Sequence, residues 1–122
     1  MNKKVIGLID GQSGNIGSIT KAIKEIIKNR PYVLNIIKGD FDYMGYDKII
    51  LPGQGAYATL ISNLKKFKIL QSLKKYLKYD NSYLGICVGM QILSNKGYED
   101  KITKGLGIIP GEIKKFKNKK LI

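Results

Sequence analysis

Gly85-Ile86-Cys87-Val88-Gly89 is the segment of this chain best equipped for chemistry. It has the spacing of a nucleophile elbow, a sharp strand-to-helix turn that lifts a reactive side chain above a sheet, with cysteine in place of serine. The flanking glycines suit such a turn because bulkier neighbours would collide in it. The chemistry implied is thiol attack on an electrophilic carbon. The backbone N–H of Val88 would then be one donor to the oxyanion that forms. A cysteine taken alone is more often a small buried hydrophobe. The paired glycines, with a strand before and a helix after, set Cys87 apart from that case.

Pro52-Gly53-Gln54-Gly55 is the second signal. It follows another strand and so falls on the same edge of the sheet. Small residues here let backbone N–H groups approach a ligand, so Gly53 or Gln54 is a candidate second oxyanion donor. The plainer alternative is a turn that simply ends a strand. Gly11, Gly14 and Gly17 form a third cluster, spaced G-x-x-G-x-x-G rather than in the dinucleotide pattern. With a strand before and a helix after, a phosphate-binding loop is the weaker reading of this cluster, and a tight βα turn the better one.

The elements that would position these turns can be traced in order. Lys4 to Asp10 reads as a buried strand, and from Asn15 the residues Ile16, Ile19, Ile23, Ile26 and Ile27 recur at helical spacing. Asn15 or Ser13 is the expected cap, and Pro31 the expected stop. Tyr32 to Ile37 is a second strand, followed by a polar connection over Gly39 to Gly45. Asp47 to Leu51 is a third, broken by Pro52 to Gly55. Ala56 to Leu64 reads as a helix, as does the stretch carrying Leu70, Leu73 and Leu77. Ser82 to Ile86 is a fourth strand, ending at Cys87, and Val88 to Leu93 starts a further helix. Glu112 to Phe116 is a candidate last strand. This alternation predicts an α/β fold, an open, mainly parallel sheet with flanking helices.

Bulk properties narrow the function. The 122 residues suit one domain. No apolar run approaches the roughly 18 residues that cross a membrane, and the amino-terminal segment lacks the pattern of a secretory signal, so the expected location is the cytoplasm. The net charge is +13, which invites a nucleic-acid reading. Almost all of that charge is lysine, with Arg30 the single arginine, and it is spread over presumed outer helix faces. That distribution points to solvated surface, with Lys114 to Lys120 as the one basic run. There is one cysteine, so no intrachain disulfide, and there is no histidine. The second absence rules out His-ligated metal and any complete Cys–His pair within these residues.

Taken together, these motifs resemble those of class I glutamine amidotransferases, most closely the glutaminase subunits of imidazole glycerol phosphate synthases. The resemblance is carried by Ile6-Gly7-Leu8-Ile9-Asp10, Gly14-Asn15-Ile16, Asp47 through Ala56, Leu84 through Leu93, and Gly105-Leu106-Gly107-Ile108-Ile109-Pro110-Gly111. It implies a flavodoxin-like fold of which residues 1–122 are the amino-terminal part of one domain, incomplete at the carboxyl end. It implies no cofactor. Cys87 would attack the carboxamide of glutamine, Val88 and the Gly53–Gln54 turn would hold the oxyanion, and Gln91 and Gly55 would help hold the substrate. Ammonia would pass to a barrel-shaped cyclase partner in histidine biosynthesis, with Asn15 facing that partner; neither nucleic acid nor a membrane is implied.

There are departures from the family pattern. Gly11 and Ser13 stand where the family usually has Tyr and Met, and Gln54 where it has Val. Gly17 replaces the Arg common in the histidine branch. A small residue there is more usual among relatives that supply ammonia for surface-sugar amidination, which makes those relatives the alternative within the family. The family's catalytic His and Glu lie near the carboxyl terminus and have no counterpart here. The expectation is that these 122 residues alone are not a competent glutaminase; a truncated, non-catalytic module that binds a partner is the other alternative.

Overall fold

The computed structural model describes residues 2–99 and 101–116. Four strands form one parallel sheet: β1 (Lys4–Ile9), β2 (Tyr32–Ile37), β3 (Lys48–Gly53) and β4 (Ser82–Cys87), in the order β2-β1-β3-β4. Their apolar runs let side chains of both parities be buried, as parallel sheets require. β1 and β2 pair along their whole length, Lys4–Ile9 against Tyr32–Ile37. β3 and β4 do the same, Lys48–Gly53 against Ser82–Cys87. Between these halves the pairing is shorter, Ile6–Leu8 against Lys48–Ile50.

The chain leaves β1 toward one edge through α1 (Ile16–Ile27). It leaves β3 toward the other through α2 (Tyr57–Lys66) and α3 (Leu70–Lys78). Because such crossovers are right-handed, α1 lies on one face and α2 and α3 on the other. Burial agrees. Ile9, Ile37, Ile49 and Leu51 join Leu60, Ile61, Leu64, Leu73 and Tyr76 in the main core. Ile6, Leu8 and Ile23 are buried outside that cluster. The winding reverses between β1 and β3, and the crevice beyond the carboxyl ends of those strands is where sheets of this kind place their sites.

The predicted elements are present, with boundaries that differ for physical reasons. α1 is capped by Asn15, whose side-chain oxygen accepts from the Ser18 N–H at 3.3 Å. It ends at Ile27, and the chain turns through Asn29 at φ 63° before Pro31 is reached. β3 does not break at Pro52 but runs on to Gly53. Beyond Ile50 it pairs only with β4, and a residue with no N–H is tolerated where a neighbouring strand is missing. The polar connection holds a short 3-10 turn, Tyr43–Gly45, capped by the Asp42 carboxylate accepting from Met44 N–H at 3.0 Å.

The helix after Cys87, α4, is one turn only, Val88–Gln91. Beyond it, among the described residues, the chain adds no strand to the main sheet. β5 (Lys96–Gly97), β6 (Thr103–Lys104) and β7 (Glu112–Ile113) form a separate small sheet in the order β6-β5-β7. The expected strand at Glu112 exists, but as a partner of β5 and for two residues. Lys117–Lys120, most of the basic run, lie outside the described residues.

Candidate active site at the nucleophile turn

Cys87 ends β4 and caps α4, with φ 57° and ψ −118°. A side chain there is strained, because positive φ crowds Cβ against the backbone. The thiol is exposed at the carboxyl edge of the sheet. From Cys87 the chain folds back over β4, and that return explains both flanking glycines. A Cβ on Gly85 would come within 2.6 Å of the Gly89 carbonyl oxygen and 2.7 Å of the Met90 backbone. A Cβ on Gly89 would overlap the Leu51 carbonyl oxygen. The turn is closed against backbone on both sides, so no rotamer change relieves either clash.

Val88, at the start of α4, is buried. The first N–H groups of a helix have no acceptor within it, which leaves the Val88 N–H to whatever lies beside Cys87. Gly53 stands opposite Cys87 in the β3–β4 register. A Cβ on Gly53 would lie 3.2 Å from Gly89 N and 3.3 Å from the Val88 Cβ. The end of β3 and the start of α4 are therefore in van der Waals contact, and the two candidate donor segments are neighbours. Gly55 follows at φ 85° and is exposed.

Gln54 differs from the sequence-based expectation in one respect. Its N–H donates to the Ser13 carbonyl oxygen at 2.6 Å, so in this conformation it is occupied. The loop after β1 thus reaches across the crevice to the loop after β3. A second link lies behind it, where the Asn63 side-chain amide donates to the Gly11 carbonyl at 2.9 Å. Gln91 is half-buried at the end of α4. It lines a cavity of about 210 Å³ together with Met90, Ser94, Pro110, Gly111 and Glu112. Asn15 is exposed at the amino end of α1, near the same sheet edge. The structure thus gathers Cys87, Val88 and Gly53 at one point. It leaves the Gln54 N–H on the Ser13 carbonyl and puts Gln91 beside the cavity lined by Met90 and Ser94.

Two supports of the turn were not singled out in the sequence. Tyr83 donates its hydroxyl to the Gly89 carbonyl at 2.5 Å, and burial pushes its ionisation upward, so it stays a neutral donor. Strand alternation was the available signal, since residues 83, 85 and 87 share a face. Tyr57, fully buried, meets Ser94 at 3.0 Å between hydroxyl oxygens and fills the space beside Gly97 and Gly105. Among the described residues no cluster of His, Cys, Asp and Glu has the makings of a metal site, and no helix is long and apolar enough to cross a membrane.

Comparison with known proteins bears on this geometry. A family model described as a CobB/CobQ-like glutamine amidotransferase domain matches residues 21–122. The chain is 39% identical over 114 residues to imidazole glycerol phosphate synthase subunit HisH 1 of Campylobacter jejuni, covering 92% of this chain and 54% of that protein. It is 39% identical over 111 residues to subunit HisH of Prochlorococcus marinus, covering 91% and 52%. The chain therefore spans about half the length of the curated relatives it matches. Among solved structures, a glutamine amidotransferase superposes with a TM-score of 0.67 at 16% identity, over 93% of this chain and 59% of that one. A peptidase E protein from Listeria monocytogenes superposes at 0.65 and 14% identity, over 89% and 65%. At those identities the two structures speak to the fold.

Proposed function

The chain belongs to the glutamine amidotransferases, matching their CobB/CobQ-like domain over most of its length, and from that premise we propose that it is the nucleophile-bearing part of a glutaminase. The Cys87 sulfur attacks the carboxamide carbon of glutamine, the C–N bond breaks, and ammonia leaves. Water then cleaves the thioester to give glutamate. The Val88 N–H and the Gly53–Gln54 peptide hold the oxyanion, and Gln91 and Gly55 help hold the substrate. For its N–H to serve the oxyanion, Gln54 has to leave the Ser13 carbonyl. Ammonia passes to a barrel-shaped cyclase partner that forms imidazole glycerol phosphate, with Asn15 on the face toward it. The 39% likeness to HisH subunits favours this branch over surface-sugar amidination.

The observation that carries the reading is Cys87 at φ 57° between two glycines that nothing larger can replace. These 122 residues contain no histidine to activate the thiol, so single-event labelling suits them better than turnover. The electrophilic glutamine analogue diazo-oxo-norleucine should modify Cys87, with free glutamine protecting. Peptide mass spectrometry reads the site. Labelling no faster than by an unrelated alkylator, or no protection by glutamine, would reject the proposal.

A further inference from the structure

We infer that Tyr83 is a positioning residue for the nucleophile turn, holding α4 in place through the Gly89 carbonyl. The inference rests on the reading of Cys87 as the nucleophile. In a regular helix the Gly89 carbonyl would accept from the Leu93 N–H, four residues on. Here the chain tightens after one turn. Ile92 N–H donates to Val88 at 3.0 Å, but Leu93 N–H donates to Met90 at 3.2 Å and Ser94 N–H to Gln91 at 3.1 Å. The ladder skips Gly89. Its carbonyl lies under the turn, against β4, where a Cβ on Gly85 would touch it. A carbonyl left without a partner in such a place costs stability, and a local rearrangement that reached water would relieve it. The Tyr83 hydroxyl fills that gap at 2.5 Å.

The consequence for the site is geometric. Tyr83 and Cys87 are on the same strand, four residues apart, with the same side-chain parity. The hydroxyl ties the second residue of α4 back to the strand from which the turn departs. This closes a loop around Cys87 that contains Gly85, Cys87, Val88 and Gly89. With the loop closed, Cys87 is held at its strained dihedrals and the Val88 N–H keeps a fixed direction relative to the sulfur. With it open, α4 is free to unwind from its carboxyl end, and the strain at Cys87 favours that change. Tyr83 touches no reacting atom; it acts through the peptide units it holds.

Tyr83→Phe deletes the hydroxyl and keeps the ring in the core, which makes it the cleanest test. Two readouts are taken on the full chain: amide hydrogen exchange of the peptide spanning Val88–Leu93, and labelling of Cys87 by diazo-oxo-norleucine and by iodoacetamide. The inference expects exchange of that peptide to rise about tenfold, from the loss of one buried hydrogen bond, while β1 and β2 are unchanged. It expects the maximal rate of labelling by the glutamine analogue to fall by a similar factor. Half-saturation and the iodoacetamide rate should change less than about twofold. Replacing Tyr83 by 4-aminophenylalanine, which restores a donor at the same ring position, should recover both.

A merely structural tyrosine would lower the melting temperature and shift exchange throughout the sheet; that result, or unchanged exchange in α4, overturns the inference. If the wild-type chain is not labelled by the analogue, the glutaminase reading fails instead, and the exchange comparison alone decides the role of Tyr83.

Discussion

At the scale of single residues, Cys87 carries a backbone cost at φ 57° and ψ −118°. Its positive φ is a conformation glycine adopts freely and a side chain does not, and such strain is of order 1–3 kcal/mol. Cys87→Gly should therefore raise stability by about 1 kcal/mol, net of the entropy glycine loses on folding. In a chain of this size that is roughly 4 °C in melting temperature by calorimetry. A melting temperature that falls would mean the thiol contributes packing that outweighs the strain. Residues whose role is to leave space were readable in advance, because G-x-C-x-G states its own geometry. Tyr83 and the Ser13 carbonyl were not. One acts through a carbonyl orphaned by a helix that ends early, and the other through a backbone atom that any residue would supply.

At the scale of elements, legibility followed length. β1 to β4 and α1 to α3 each repeat their periodicity long enough to be seen. β5 to β7 have two residues apiece, and no period can be read from two residues. Side chains help hold that small sheet together. The Tyr98 hydroxyl donates to Glu112 at 2.9 Å, with Lys114 at 3.5 Å and Lys96 at 3.8 Å. The Tyr98 hydrogen bond, ahead of the lysines, holds the Glu112 carboxyl below the usual glutamate range. A lowered carboxylate contributes stability above its unfolded value and loses it as pH falls through the folded one. Order in Tyr98 and Ile113 should therefore decline as pH drops below the ordinary glutamate range. Glu112→Gln should flatten that decline, as followed by NMR line positions of the two residues. An unchanged acid profile in the variant would assign the effect elsewhere.

At the scale of the whole molecule, the two faces of the sheet are unequally covered. Along the register row Leu8–Ile50–Leu84, burial runs from complete through partial to 55% exposed. Ile86, two residues on, is 39% exposed, and among the described residues β4 is also an edge strand. Apolar side chains beside an open edge promote association between chains. Leu84→Lys should lower self-association in sedimentation velocity, with little change in melting temperature because that residue is already 55% exposed. Equal sedimentation of variant and parent would show that some other surface drives association. The parallel sheet and the site's place at its carboxyl edge followed from the alternation of elements; the strand order did not. The unequal covering did not, because strand patterns report burial in general and not which helix provides it.

The short pairing between β1 and β3 has a mechanical meaning. Two ribbons, β2–β1 and β3–β4, are each bonded along their full length and joined by a narrow seam. Sheets of material stiff in two parts and thin between them flex along the thin line. Here that line runs under the crevice where the Ser13 carbonyl meets the Gln54 N–H. Cys87 and Gly53 belong to one ribbon, and Ser13 follows the other. Small rotations about the seam would thus open or close the Ser13–Gln54 gap while leaving the spacing of Cys87 to Gly53 unaltered.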